Sequence, residues 1–507
     1  MFSTVLSATL RGLSVEFVHV EADISNGLPM FHMVGDLSSE VKEASERVRT
    51  AIKNSGFAMP AKRIVVNLSP ANIRKRGAMF DLPIAIAILA SMGEMFDRLL
   101  TKTLVVGELS LDGCVKPVPG VLAIVNEARK LGCEVCIVPR ENVREARLVE
   151  GIRIVGVHSL QEVYAFLQGA EGLDEEVPEQ DMIIRRGEPT RLDYSDIHGQ
   201  YFAKRAAEIA VAGNHNLLMV GPPGAGKSMI AKRLPTILPE MTRQESIELT
   251  MIYSAIGALD SEHPLLEERP FREVHQSVTK TALLGGGSYP KPGEISLAHK
   301  GVLFLDELAE FPRNILEQLR QPIEDHQIRI LREKGEYRFP ADFLLVAAMN
   351  PCPCGHYPDL NRCTCTTTQI QHYLGKISQP FLDRIDLCIE VEKMQYEDLA
   401  KEERSESSEQ IRERVCKARK MRRERYKGEP VRVNAQLGAR EVERYCQLTR
   451  GDEKMMQKAF EQLHLTGRAY YKVLKVARTI ADLAGEEQIT AGHLSEALGY
   501  RAWNLRV

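Results

Sequence analysis

The residues with the clearest chemical purpose are Gly221-Pro222-Pro223-Gly224-Ala225-Gly226-Lys227-Ser228, which follow the apolar run Leu217-Leu218-Met219-Val220 and lead into a helical pattern starting Met229-Ile230-Ala231. Glycines at this spacing let a loop curl until its N–H groups point inward at phosphate oxygens, and a helix N-terminus behind the loop adds partial positive charge. Lys227 is then placed to reach the β- and γ-phosphates, and the Ser228 hydroxyl to hold Mg²⁺. Two further apolar runs end in the polar groups such a site needs. Val302-Leu303-Phe304-Leu305 ends in Asp306-Glu307, where Asp306 would complete the Mg²⁺ shell through water and Glu307 would polarise an attacking water. Phe343 to Met349 ends in Asn350, able to hold that water or the γ-phosphate. Order and spacing together predict ATP binding and hydrolysis.

Short apolar runs with polar ends read as buried strands of a parallel sheet, whose ligands gather at the C-terminal strand edge. The chain has 507 residues, enough for two to four domains with their own cores. A net charge of −3 and 44% hydrophobic content make any nucleic-acid surface a local one. The opening residues lack the charged region and apolar core of a signal peptide, and the longest apolar run, Leu82 to Met92, is too short to span a bilayer. A cytoplasmic protein with no membrane partner is expected, its ten cysteines reduced or metal-bound rather than paired in disulfides.

Residues 1–170 alternate strand and helix patterns. Leu13 to Glu21 and Ile64 to Leu68 read as strands, Ser38 to Ser55 and Gly120 to Leu131 as helices, and Leu104 to Gly113 as a hairpin with an Asp-Gly turn. This order, with Gly107-Glu108-Leu109-Ser110-Leu111-Asp112-Gly113, resembles the proteolytic domain of Lon-type proteases, a ribosomal S5 domain 2-like α+β fold. The resemblance places the family's nucleophilic Ser at Ile84 and its general-base Lys at Ile124. Neither side chain attacks a carbonyl or moves a proton, so the domain is expected to be a scaffold without a Ser-Lys dyad. An acidic, aperiodic segment, 171–190, reads as a linker. The core is expected at 191–394 and a helical lid at 395–507. Asp196 to Gln200 is expected over the adenine, with a plain helix cap as the alternative.

Between the first two nucleotide strands, Gly285 to Gly293 reads as a projecting loop without regular structure. Gln327 to Leu331 and Glu336 to Phe339 flank Arg332-Glu333-Lys334-Gly335 as a hairpin with a basic tip. An extra loop and a hairpin at these places resemble the AAA+ clade of magnesium chelatases and MCM helicases. That resemblance implies pore-facing insertions, a trans-acting arginine at Arg384 in Phe381 to Leu387, and a lid arginine at Arg468 in Thr466-Gly467-Arg468-Ala469-Tyr470. For Arg384, a salt bridge with Asp383 or Asp386 is the alternative. Lys291, Arg332 and Lys334 are the candidates for DNA phosphates. Ile411 to Lys427 holds nine basic residues against two acidic ones, either a solvated helix face or a phosphate contact.

After Asn350 come Cys352, Cys354, Cys363 and Cys365, a C-x-C-x8-C-x-C array. Four thiolates in a reducing setting suit tetrahedral Zn²⁺, although a single intervening residue strains a shared site. Unmetallated thiols are the alternative, and His356 and His372 are spare ligands. A filled Cys₄ shell has no open position, so such zinc would be structural.

Taken together, the dyad-less Lon-like domain, chelatase-type core, cysteine pairs and lid segment resemble the ComM/YifB family of bacterial magnesium-chelatase-like ATPases over essentially the whole chain. Thr466 stands where relatives commonly carry Ser. The resemblance implies a hexameric motor that binds single-stranded or branched DNA, drives branch migration and aids integration of incoming DNA during natural transformation. Two other classes compete. A metal-insertion motor needs partner subunits, to whose ATPase chains a Lon-like domain is foreign. A protein-remodelling ring would thread polypeptide past an aromatic residue, for which Tyr289 is the candidate. Replacing Lys227 by Ala should weaken nucleotide binding and abolish turnover, read by titration with a fluorescent ATP analogue and by phosphate release.

Overall fold

The computed structural model describes residues 2–94, 97–170, 192–332, 335–393, 405–429, 431 and 433–501. The expected linker at 171–190, Lys334 and the first residues of the expected lid lie outside them. Contacts group the described residues of 1–185 with 243–266 and 331–338 as one compact unit, and those of 186–242, 267–330 and 339–507 as another. Two stretches read from sequence as parts of the 191–394 core thus group with the N-terminal residues. The cause is packing. Ile247, Met251 and Leu265 lie against the first unit's core, Arg144 donates to the Glu262 carbonyl at 2.8 Å, and the Arg11 guanidinium sits 5.6 Å over the Tyr337 ring.

The first unit is α+β. Its seven-stranded mixed sheet runs, edge to edge, Met30–Val34, Arg63–Ser69, Ser14–Ser25, Phe2–Arg11, Thr103–Val105, Val135–Pro139 and Arg153–Val157. Period-two alternation sets the register, and Val5 opposite Val20 puts two fully buried side chains together. All eleven residues of the helix Asp81–Ser91 are buried, Leu82 to Ala90 because they form an unbroken apolar run and Asp81 because Arg47 pairs with it at 2.7 Å. Ile84 and Ile124, at the dyad positions, are both fully buried core residues. Leu104 to Gly113 is not a single hairpin. Thr103–Val105 joins the large sheet, and a separate hairpin pairs Glu108–Leu109 with Val115–Lys116. Gly107 separates them because its backbone runs against the buried helix, where a Cβ would come within 2.9 Å of Leu82 Cδ2.

The second unit carries a five-stranded sheet in the order Phe271–Val274, Val302–Leu305, Leu344–Met349, Leu217–Val220 and Leu387–Glu390. Every pairing is parallel. The three central strands are buried throughout, which explains their continuous apolar runs. Gly285 to Gly293 departs from expectation, since Gly285 and Gly286 pair with Pro292 and Lys291 as a small antiparallel hairpin. It can do so because Gly285 adopts φ +90°, where a Cβ would lie 2.2 Å from the Lys291 carbonyl oxygen. Gln327–Arg332 and Gly335–Pro340 form the expected hairpin. Beyond Leu387–Glu390 the described residues form the helices Ser408–Arg425, Ala439–Tyr445, Arg450–Gln462, Gly467–Ala484 and Ala491–Gly499. No helix among the described residues is long and apolar enough to cross a membrane.

The basic run on Ser408–Arg425 divides by partner. Arg414 binds Glu208 and Glu406, Arg422 donates to the Ala212 carbonyl, and Arg425 pairs with Asp482. Lys417, Lys420, Arg423 and Lys427 remain exposed.

Asp386 ties the helical region to the sheet. It accepts the Asn216 N–H at 3.1 Å, faces Lys472 at 2.9 Å and lies 3.8 Å from His215. Burial pushes its carboxyl up, but Lys472 and His215 outweigh that and hold it well below the usual carboxylate value of 3.8. A depressed folded value means stability that is complete above about pH 4 and lost as the pH falls below it. Asp386→Asn, which leaves Lys472 buried without its counter-ion, should cost about 3 kcal/mol at pH 7. The deficit should shrink toward pH 3, as read from urea midpoints at both pH values.

Candidate functional site

Parallel register brings the functional residues to one edge of the second unit's sheet. Val220 is level with Met349, and Leu305 with Ala347, so the segments leaving these strands begin as neighbours. Gly221 donates to the Met349 carbonyl at 3.2 Å, and a Cβ there would lie 2.1 Å from the Val391 carbonyl oxygen. The first glycine therefore permits close backbone approach. Gly224 and Gly226 take φ values of +76° and +89°, which curl the loop into the helix Lys227–Ile237.

Lys227 is buried beneath this loop. Its Nζ donates to the carbonyls of Gly221 at 2.6 Å and Pro222 at 2.9 Å and to Asn350 Oδ1 at 3.2 Å. Burial lowers the affinity of the amine for its proton, and Asp306 opposes that. Ser228 Oγ donates to Asp306 Oδ2 at 2.7 Å. Glu307 is exposed and holds a left-handed backbone, φ 52° and ψ 47°, with its N–H on Asp306 Oδ1 at 2.9 Å. A non-glycine residue in that conformation carries strain of the kind that accumulates at functional sites. Pro223 to Met229, Asp306, Glu307, Met349 and Asn350 line a cavity of about 350 Å³.

These residues fit Mg-ATP. The Lys227 ammonium, held only by neutral oxygens, is placed for phosphate, and the adjoining hydroxyl and carboxylate are hard oxygen ligands of the kind Mg²⁺ takes. Asp196 pairs with Arg233 of the loop helix at 2.8 Å. Gln200 donates its amide to the Ala225 carbonyl at 3.3 Å and to the Glu392 carbonyl at 2.7 Å. The 196–200 stretch therefore lies against the phosphate loop and its helix.

Arg384 and Arg468 stand apart from this cavity's lining. Arg384 is 10% exposed, bound through Nη2 to Glu324 at 2.5 Å and through Nη1 to the Pro380 carbonyl at 2.7 Å. Its ion-pair partner is neither neighbouring aspartate but a carboxylate on the helix Arg313–Asp325. Arg468 is 70% exposed and lies 3.9 Å from Asp383. Lys291 and Arg332 are exposed. Arg332 belongs to the segment grouped with the first unit.

The four cysteines of the array converge. Their sulfurs all lie within 4.8 Å of one another, with Cys352–Cys354 at 3.4 Å, Cys354–Cys363 at 3.6 Å and Cys352–Cys363 at 3.8 Å. Sulfurs about 2.3 Å from a tetrahedral metal sit about 3.8 Å apart, so C-x-C spacing does not prevent a shared site here. His356 and His372 are not in the cluster. Backbone N–H groups of His356 and Thr364 pull the Cys354 thiol down to about 5. Sequence reasoning missed Glu324, Tyr373 and Gly355. Buried Tyr373 lines a cavity with Cys354 and Cys365, and Gly355 abuts Pro223. Nothing in their local sequence announces contacts so far along the chain.

Comparison with known proteins covers most of the chain. Residues 193–399 match the family Magnesium chelatase, subunit ChlI, residues 20–142 the family Subunit ChlI of Mg-chelatase, and residues 405–501 the family Magnesium chelatase, subunit ChlI C-terminal. The second match corrects the expectation that the N-terminal region is foreign to chelatase subunits. The chain is 46% identical to the competence protein ComM of Haemophilus influenzae over 501 residues, 98% of this chain and 97% of that protein. It is 43% identical to YifB of Escherichia coli over 501 residues, 99% of this chain and 97% of that one. A partial match, 30% over 127 residues, links it to Lon protease 2 of Bacillus subtilis, covering 25% of this chain and 22% of that one.

Gln200→Ala removes two bonds, one of them on the phosphate loop itself. At about 1 kcal/mol for a net hydrogen bond, nucleotide affinity should fall about fivefold with little change in melting temperature. Parallel nucleotide titration and thermal unfolding check this.

Proposed function

The chain belongs to the magnesium chelatase subunit ChlI family, in the form shared with ComM and YifB, and from that premise we propose that it is an ATP-driven ring motor acting on DNA. Proteins of this family are AAA+ ATPases, which use ATP with Mg²⁺. The observation that carries the reading is the convergence of Lys227, Ser228, Asp306, Glu307 and Asn350 on one sheet edge.

In this reading Lys227 exchanges the Gly221 and Pro222 carbonyls for β- and γ-phosphate oxygens. Ser228 and Asp306 would hold Mg²⁺, which would offset phosphate charge. Glu307 polarises the attacking water and Asn350 orients it. Arg384 leaves Glu324 to meet the γ-phosphate of a neighbouring subunit, which requires a closed ring of identical chains, and we assign six. Arg468 approaches from the lid. The four cysteines would hold a structural Zn²⁺.

The relative's name, competence protein, supports a role in competence; to that role we assign integration of incoming DNA, with branch migration as the activity. Exposed Lys291 and Arg332 support phosphate contact, as does the Lys417, Lys420, Arg423 and Lys427 stripe. Two observations favour other readings. Tyr289, 41% exposed beside the small hairpin, suits a ring that threads polypeptide, and the family description itself suits metal insertion. DNA is preferred because cations are the common chemistry of the exposed candidates.

Glu307→Gln should bind ATP, hydrolyse it at least about 100-fold more slowly and accumulate as a six-chain ring by mass measurement. The wild type should convert a four-way junction with ATP, and Lys291→Glu/Arg332→Glu should not. Unchanged hydrolysis in Glu307→Gln would remove that residue from its role, and junction conversion without ATP would remove the motor.

A further inference from the structure

Two segments leave adjacent strands of the second unit and meet again. The phosphate loop starts at Gly221 and the cysteine segment after Asn350, joined at their roots by the Gly221 N–H on the Met349 carbonyl. The cysteine segment then folds back onto the loop. A Cβ on Gly355 would lie 2.4 Å from Cδ and 2.8 Å from Cγ of Pro223, so glycine is what allows this approach. Its φ of +81° also favours glycine.

Cys352 sets the position of Gly355. Its carbonyl accepts the Gly355 N–H at 3.0 Å, and its sulfur accepts the Tyr357 N–H at 3.4 Å. At the root of the segment, the Asn350 side chain meets Lys227. The cysteine centre thus begins two residues after Asn350 in sequence, and Gly355 beside it lies against Pro223 of the phosphate loop.

We propose that the cysteine knuckle braces the ATP site: a zinc ion on its four sulfurs fixes Gly355 against Pro223 and Asn350 beside Lys227, so that metal occupancy and nucleotide affinity rise together. The proposal rests on the zinc reading above. Its physical basis is ordering. Between Met349 and Thr367 the described chain has no helix or strand, so cross-linking by four thiolates is what would hold this wall still before nucleotide arrives. Linkage makes the effect reciprocal, and bound nucleotide should slow zinc loss. Gly355 is a positioning residue, touching the loop and not the phosphates.

The test measures zinc content and the dissociation constant for a fluorescent ATP analogue on the full chain. Samples are the protein as purified, after chelation, after return of Zn²⁺, and the variants Gly355→Ala and Gly355→Ala/Pro223→Ala. Circular dichroism confirms that each is folded. About one zinc per chain is expected, and its removal should weaken nucleotide binding at least about fivefold, reversibly. Gly355→Ala should keep its zinc and bind nucleotide more weakly by a similar factor. Pro223→Ala in the same chain should recover the part of that loss that comes from the ring atoms the new methyl meets, and leave the part that comes from the left-handed backbone at Gly355. If zinc is present but neither its removal nor Gly355→Ala changes nucleotide affinity, the brace is overturned and the zinc reading stands. If the protein neither carries nor takes up zinc, both are overturned.

Discussion

One ammonium group organises the second unit. Lys227 is buried at the start of its helix with three neutral oxygens for partners, two of them carbonyls of the loop above it and the third the Asn350 side chain. That geometry depends on close backbone approach at Gly221 and left-handed turns at Gly224 and Gly226. It depends equally on parallel register, which levels the ends of three buried strands so that one loop, one carboxylate pair and one amide reach the same cavity. A shift of one residue in any strand would turn its terminal side chain to the other face.

The first unit shows the opposite use of a fold. Its sheet and its wholly buried helix are preserved, yet the two positions where the Lon resemblance places catalytic groups hold isoleucines in the core. What the unit gathers instead is chain from elsewhere, residues 243–266 and 331–338, through apolar packing and an Arg11–Tyr337 stack. These segments lie, in sequence, between strands of the nucleotide-binding unit.

Much of this was legible in the residues because it is locally determined. Strand, glycine loop and helix succeed one another within about twenty residues, so the phosphate loop and its Lys227 are written in spacing alone, and the apolar runs ending at Asp306 and Asn350 carry their own strand signal. The rest depends on contacts between distant positions. Glu324 as partner of Arg384, the break at Gly107 against Leu82, and the closure of Gly355 on Pro223 have no local signature. The convergence of the four cysteines has no local signature either, because the turns at Gly355 and at Asp359 to Cys363 bring the sulfurs together. The anchoring of 243–266 was illegible because its partner core lies far upstream, in a stretch of chain that ends at Leu167.

The central claim is that ATP hydrolysis at this sheet edge is coupled to DNA. The most direct measurement is the steady-state rate of phosphate release by the wild-type chain, alone and with single-stranded, duplex or four-way-junction DNA, at low and moderate salt, with unfolded polypeptide as comparator. The account predicts severalfold stimulation by DNA that weakens steeply as salt rises, as phosphate contacts require. A rate indifferent to DNA at every salt concentration, with stimulation by polypeptide instead, would contradict it.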